Sequence, residues 1–175
     1  MKIVRTLLYL LLIVVVLYIV LCFTGPAKFA FERTAQINAA PEVVMAEISD
    51  FRRWDAWSTW SKMDPNMENT YSGVSGTVGH SNTWKSQKVG NGTQTIVSIS
   101  EQNMATELTF TDWDGVSKTE FRLQPNGAGT TVTWTMDGSP IAFPVRGLMV
   151  ILGMQKSIEK DYEQGLAGLK KLLEG

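Results

Sequence analysis

Residues 93–136 read TQTIVSISEQNMATELTFTDWDGVSKTEFRLQPNGAGTTVTWTM, and the fold class can be predicted from this stretch. Polar and apolar residues alternate through four segments of it, and short runs rich in Gly, Asn, Asp and Pro separate those segments. A period of two is typical of half-buried strands, and short links between strands make neighbours antiparallel. The stretch therefore predicts four strands of an antiparallel meander, at 93–100, 105–111, 117–123 and 130–136.

Three further strands and two short helices are predicted upstream of this stretch. The strands are expected at 29–37, 69–72 and 80–86, which gives a sheet of about seven strands. Pro41 suits the first turn of a helix that ends near Asp50, and Asn38 is a candidate for its cap. A second short helix is expected over 52–58.

The C-terminal section has the period of a helix. Apolar residues recur there at steps of three and four, which makes one stripe along a helix: Ile158, Tyr162, Leu166, Leu169, Leu172 and Leu173. An antiparallel sheet with one apolar face needs a cover, and this stripe matches it. We therefore predict an α+β fold in which a curved antiparallel sheet of about seven strands wraps on a long C-terminal helix.

The N-terminus predicts a transmembrane helix. Residues 6–27 carry no charge, and residues 7–23 are almost wholly Leu, Ile, Val and Tyr. At about 1.5 Å per residue, this run crosses most of a hydrocarbon core that is about 30 Å thick. Gly25-Pro26 is a stop signal for the helix. We predict an anchor at 1–28 and a ligand-binding domain at 29–175.

A cleaved secretory signal is the competing interpretation of the same residues. Its apolar region is normally shorter and ends in small residues, whereas Leu21-Cys22-Phe23 contains no such site. Lys2 and Arg5 favour the cytoplasmic side for the N-terminus. We therefore expect a single-pass membrane protein whose soluble domain faces a periplasm or the extracellular space.

Charge and cysteine content exclude several classes of function. Removing Lys2 and Arg5 from the 16 basic residues leaves 14 against 17 acidic ones, which disfavours nucleic acid as a partner. Cys22 is the only cysteine and His80 the only histidine, so neither a disulfide framework nor a metal site is indicated. No cofactor is expected, and nothing in the sequence determines the oligomeric state.

Six segments between Phe31 and Glu174 carry motifs of a known superfamily: 37–44 (INAAPEVV), 50–51 with the tryptophans at 54, 57 and 60, 78–79 with Trp84, 89–92 (VGNG), 131–134 (TVTW) and 161–166 (DYEQGL). With these motifs the sequence resembles the SRPBCC or START-like superfamily, in its branch of polyketide cyclases/dehydrases and lipid-transport proteins. The resemblance implies a helix-grip fold with a cavity for an apolar small molecule between the sheet and the long helix. It implies no catalytic residue, because the motifs of this branch include no shared catalytic signature.

Strand polarity selects the residues that face this cavity. Lys118, Glu120 and Arg122 point outward, so Phe121 points inward, and the same argument applies to the other strands. With Trp57 and Met149 from the helical segments, the candidate ligand-binding residues are Trp57, His80, Asn82, Trp84, Leu108, Phe110, Phe121, Trp134, Met136 and Met149. Plain core packing is the alternative role for each of them.

His80 is the one residue that invites a catalytic role. It follows Gly79 at a strand end, where we expect it to be exposed. No motif supplies a nucleophile or an orienting carboxylate, so no catalytic residue is assigned.

Residues 141–154 are rich in Phe, Leu, Val, Ile and Met around the single charge of Arg146. One interpretation is a buried helix start. The other is a flexible gate that admits a lipid or docks onto the bilayer, with bending at Gly147 and Gly153.

Three functions are compatible with the sequence. The first is the binding or transport of a hydrophobic small molecule or lipid by a membrane-tethered domain without catalysis. The second is a cyclase or dehydratase that acts in the same cavity, which needs a polar acid–base pair. The third is a solid-cored scaffold that acts through its surface. Whether the chain is an enzyme stays open at this point.

Overall fold

Seven strands and six α-helices form the chain in a computed structural model, which describes residues 2–175. The strands are β1 (Ala30–Ile37), β2 (Glu68–Ser72), β3 (Ser81–Lys85), β4 (Gly92–Ile99), β5 (Asn103–Phe110), β6 (Trp113–Asn126) and β7 (Gly129–Asp137). The helices are α1 (Lys2–Thr24), α2 (Pro41–Ile48), α3 (Trp54–Trp57), α4 (Thr59–Met63), α5 (Phe143–Ile151) and α6 (Met154–Glu174), with a 3-10 turn at Phe51–Arg53.

The strands make one antiparallel sheet in the order β1-β7-β6-β5-β4-β3-β2. Each strand from β2 to β7 pairs with its sequence neighbour, and β1 returns to pair with β7. Register shifts between Ile96 and Ser98 and between Leu108 and Phe110 interrupt the ladders, and such bulges bend and twist a sheet. The predicted α+β fold with a seven-stranded antiparallel sheet is confirmed, and the meander runs from β2 to β7.

β6 is longer at both ends than the sequence predicted. Phe110 pairs with Trp113 and Asn126 pairs with Gly129, so each link is a two-residue turn. Gly127 lies in the second turn with a φ of +61°, a conformation that glycine adopts without the steric cost of a side chain. The predicted loops at 112–115 and 125–129 were therefore too long.

α6 packs across the concave face of the sheet and contacts α3. Tyr162, Leu166 and Leu169 are buried along it. A Cβ atom at Gly168 would lie 2.5 Å from the backbone oxygen of Trp57, so only glycine permits this approach. The predicted stripe is confirmed except for Leu172, which is 43% exposed because it lies to one side of the buried row.

The cap predicted for α2 was wrong, although Pro41 does begin the helix. Ala40 occupies the cap position, and no side chain caps the helix. Asn38 lies further upstream, where its backbone N–H donates to Glu174 Oε1 at 2.8 Å. This contact ties the start of the domain to the end of α6 instead of capping α2.

α1 projects a largely exposed apolar surface, in which Cys22 is the only buried residue. Within residues 2–175 it is the one helix long and apolar enough to cross a membrane. Beyond it the chain is held close to the sheet. Ala27 O accepts from Ile141 N at 2.8 Å, and Phe29 O accepts from Gly138 N at 2.7 Å.

Candidate ligand-binding site

A cavity of about 610 Å³ lies between the sheet and the helices α3 to α6. Its volume is within the range of about 300–1,000 Å³ that is common for small-molecule sites. Its wall is mostly apolar, and the aromatic and aliphatic side chains come from strands β3, β5, β6 and β7, from the helices α3 to α6 and from the segments between these elements. The arrangement suits a ligand that is mainly apolar.

Seven of the ten residues selected from the sequence lie in the cavity wall: Asn82, Trp84, Leu108, Phe110, Trp134, Met136 and Met149. The structure brings these together from β3, β5, β7 and α5. The other three, Trp57, His80 and Phe121, are fully buried outside the wall. Their position indicates packing, whereas ligand contact by the first seven stays a prediction.

Trp134 is the centre of an aromatic cluster at the base of the cavity. Its ring stacks on Phe121 with centroids 4.5 Å apart and lies 4.0 Å from the ring of Tyr162. Trp54 and Trp60 approach it edge-on at 5.8 and 5.6 Å. Trp57 contacts Trp134 from behind and fills the space under α6.

Six aromatic residues in the wall were not among the ten selected from the sequence: Phe29, Phe51, Trp54, Trp60, Trp113 and Tyr162. The three-residue spacing of the tryptophans at 54, 57 and 60 was the available signal. One continuous helix would place all three on one flank, but α3 ends at Trp57 and α4 begins at Thr59. Trp57 is fully buried outside the wall, whereas Trp54 and Trp60 contribute to it.

His80 is fully buried, so its predicted exposure was wrong. Its Nε2 accepts from the Phe51 N–H at 3.3 Å, and its Nδ1 lies 2.9 Å from Ser72 O. Because a carbonyl only accepts, Nδ1 carries the proton and the ring is the neutral tautomer. The ring also stacks on Phe51. His80 therefore joins the end of β2 to the 3-10 turn, and both of its nitrogens are occupied.

Asp50 lies beside this histidine, with Oδ1 3.7 Å from His80 Nε2. Burial raises the pKa of Asp50, but hydrogen bonds from the Arg52 N–H and the Ser75 hydroxyl, with the charge of Arg52, bring the pKa below its usual value. The carboxylate caps the turn by accepting from Arg52 N at 3.1 Å. It is a structural anion at the edge of the domain.

The charged groups in the cavity wall are few. They are Asp55, Lys88, Asp112 and Asp161, and none of them pairs with another within residues 2–175. Burial raises the pKa of Asp161. Burial also raises the pKa of Tyr162, whose hydroxyl donates to Met136 Sδ at 3.1 Å, so this phenol stays protonated.

One rim of the cavity is the loop between β3 and β4, which Ser86 holds in place. Its hydroxyl donates to Asp64 Oδ2 at 2.6 Å and accepts from the N–H groups of Lys88 and Val89, both at 3.1 Å. The hydrogen bonds from Ser86 and Asn66 lower the pKa of Asp64. In the described part of the chain, no cluster of three His, Cys, Asp or Glu side chains is arranged to hold a metal.

Solved structures share this fold at low sequence identity. Protein CV1439 from Chromobacterium violaceum is 16% identical, with 84% of this chain and 98% of that one covered and a TM-score of 0.62. TTHA0849 from Thermus thermophilus is 18% identical, with 81% and 94% covered and a TM-score of 0.63. The di-domain ARO/CYC StfQ of the steffimycin biosynthetic pathway is 8% identical, with 85% and 51% covered and a TM-score of 0.64.

These structural similarities concern the fold alone, and no protein of curated function matches the sequence. The family model described as polyketide cyclase / dehydrase and lipid transport matches residues 28–174. That span contains the whole sheet, the cavity wall and the long helix. The chain therefore belongs to the polyketide cyclase / dehydrase and lipid transport family, as its motifs predicted.

Proposed function

We propose that the protein binds or transports a hydrophobic small molecule or lipid in the cavity, close to a membrane in which α1 anchors it. The observation that carries this proposal is the cavity of about 610 Å³ with its mainly aromatic and aliphatic wall. A domain that acted only through its surface would fill this space with side chains, because interiors pack with few voids larger than a water molecule.

The contact between α1 and α5 supports an active role near the bilayer. The Tyr18 hydroxyl donates to Pro144 O, and the rings of Phe23 and Phe143 meet edge-on at 4.8 Å. A Cβ atom at Gly147 would lie 2.8 Å from Cys22 Sγ, so the two helices approach closely. If α1 spans the bilayer, α5 lies against its last two turns, at the outer surface of the membrane.

The outer face of α5 and the turn after it suits that position. Leu148, Ile151 and Leu152 are 47%, 61% and 59% exposed, whereas Met149 contributes to the cavity wall. The short helix α5 thus lies between the cavity and the side of the domain that contacts α1. Tethering holds the cavity at a high effective concentration near lipids. α5 supplies an apolar route between the lipids and the cavity.

A second candidate is cyclisation or dehydration of the bound molecule, and Asp161 is the observation that favours it. The residue lines the cavity, and burial raises its pKa toward the range of a general acid. Asp161→Asn would abolish the formation of product in a catalyst and leave ligand binding intact in a carrier. Lys156→Gln, exposed on the same helix and outside the cavity wall, is the control.

Energy transfer from tryptophan to N-phenyl-1-naphthylamine, a neutral apolar probe, tests the binding function. The six tryptophans all lie in the domain after residue 53, so a probe dissolved in distant lipid accepts little energy. We expect saturable transfer with the full chain in lipid nanodiscs, and competition by unlabelled apolar compounds. Energy transfer that rises linearly with the probe concentration contradicts the proposal, because partitioning of the probe into lipid alone would give this result.

A further inference from the structure

The inner wall of the sheet carries a row of uncharged polar side chains that crosses five strands. From β2 to β6 these are Asn69, Asn82, Gln94, Thr106 and Thr119. All except Thr106 line the cavity. Polar side chains on the inner face of a sheet oppose folding unless they are hydrogen-bonded, so a core built only for packing would hold apolar residues here.

Hydrogen bonds join this row in two separate pieces. Asn82 Nδ2 donates to Asn69 Oδ1 at 3.0 Å. Gln94 Nε2 donates to Thr106 Oγ1 at 2.9 Å, and the hydroxyls of Thr106 and Thr119 are 2.8 Å apart. The two pieces meet at Asn82 and Gln94, which are directly opposite each other in the β3–β4 register.

The row is incomplete at that meeting point. Asn82 Oδ1 is buried and has no donor within residues 2–175. The only hydrogen bond of the Gln94 amide in the same part of the chain is the one that its Nε2 donates. A buried carbonyl without a donor opposes folding, so a ligand that donates a hydrogen bond at this point gains affinity.

A second unpaired group also lies in the cavity wall. The indole N–H of Trp134 has no acceptor among the described residues, although its side chain is only 1% exposed. A hydroxyl group is neutral and both donates to an amide oxygen and accepts from an indole N–H. Hydroxylated apolar molecules therefore satisfy either kind of unpaired group.

Charge in the wall argues against an anionic ligand. Three of its four charged residues are aspartates, and the single cation, Lys88, is exposed on the rim loop. Carboxylates and phosphates are usually held by arginine or by buried donors in numbers. This wall holds neither, so an anionic head group would be unpaired at the aspartate-rich surface.

We propose that the Asn82–Gln94 pair is a polar recognition site for a neutral apolar ligand that carries a hydroxyl group. This inference rests on the proposed binding function and specifies the chemical class of the ligand. Under it, the aromatic wall supplies most of the affinity and the amide pair selects hydroxyl-bearing molecules over ethers and carboxylates of the same size.

Equilibrium dialysis against a matched set of probes tests the inference. The probes are 2-naphthol, 2-methoxynaphthalene and 2-naphthoate, and the full chain is held in lipid nanodiscs with empty nanodiscs as the blank. We expect 2-naphthol to bind about fivefold to tenfold more tightly than the methyl ether, as one neutral hydrogen bond provides. We expect 2-naphthoate to bind most weakly.

Two substitutions remove the acceptors and keep side-chain volume. Asn82→Leu and Gln94→Met should each bring 2-naphthol to the affinity of the methyl ether and leave the ether within about twofold. Gln94→Met leaves Thr106 bonded to Thr119, so it serves if Asn82→Leu does not fold. Asn103→Leu, at an exposed position on β5, is the control and should change nothing.

The outcomes separate the two proposals. Equal binding of all three probes, or selectivity that survives both substitutions, overturns the recognition site and leaves the binding function in place. No binding of any probe above the blank overturns the binding function, and the recognition site with it.

Discussion

His80 illustrates how a single residue can take the opposite of its expected role. A lone histidine beside a glycine suggests exposure and chemistry, but here Phe51 N–H and Ser72 O occupy both ring nitrogens. Its partners come from segments 29 and 8 residues away, so no local pattern could reveal them. The residue is best understood as a clamp between the sheet and the 3-10 turn.

His80→Ala should therefore reduce stability and leave binding intact. The substitution removes the partner of the buried Phe51 N–H and of the partly buried Ser72 carbonyl, and we expect the free energy of unfolding to fall by about 2–3 kcal/mol. Urea denaturation measures this change, and probe binding per folded molecule should stay the same. His80→Asn, which can both donate and accept, should recover part of the loss. A fully stable His80→Ala protein that binds no probe would contradict the clamp.

Asp64 gives the rim loop a dependence on pH. Its hydrogen bonds with Ser86 and Asn66 hold its pKa below the unfolded value of about 4. The stabilisation is thus complete above that pH and is lost as the pH falls through the lower folded pKa. We expect Asp64→Asn to be less stable than the wild type near pH 7, and the difference to close as the pH falls below about 4. A difference that is constant with pH would contradict this.

α6 depends on one close approach to the rest of the domain. A Cβ at Gly168 would meet the backbone oxygen of Trp57, which cannot move aside as a flexible side chain does. Gly168→Ala should lower the unfolding free energy by about 1–3 kcal/mol, despite the better helix propensity of alanine. Lys171→Ala, exposed on the same helix, is the control. An increase in stability for Gly168→Ala would show that α6 is not in close contact at this point.

α5 is the element that we expect to face lipid. Spin labels introduced as Leu152→Cys and Lys171→Cys compare the end of α5 with an exposed site on α6. In nanodiscs, the label at 152 should be relaxed more by oxygen, which concentrates in lipid, than by a water-soluble nickel complex. The label at 171 should show the reverse. If both labels favour the nickel complex, α5 lies in water and the lipid route is wrong.

The elements of the fold were more predictable than the composition of the site. Period-two alternation from Thr93 to Met136 and the stripe on α6 follow from local geometry, and the structure agrees with both. The polar row was not predictable in the same way. Asn69 and Gln94 line the cavity because of the register in which β2 and β4 pair with β3, the strand of Asn82. The different positions of Trp57 and Trp60 were not predictable either, because the two residues lie on separate short helices.

The whole molecule places an apolar cavity beside an apolar helix. Only a short segment links α1 to β1, and backbone hydrogen bonds at Ala27 and Phe29 fix that segment to the residues after β7. The cavity cannot move far from α1, so whatever surrounds α1 is the nearest source of ligand. This arrangement favours a molecule that partitions into membranes over one that arrives through water.

Ligand occupancy in native mass spectrometry tests the central claim most directly. The full chain is extracted with native lipids, and wild type is compared with Leu108→Trp, which fills the cavity, and with Leu172→Trp, on the exposed side of α6. We predict a bound small molecule in the wild type and in Leu172→Trp, and its loss in a folded Leu108→Trp protein. The same bound mass in all three proteins, or none in the wild type, would contradict a ligand-binding cavity.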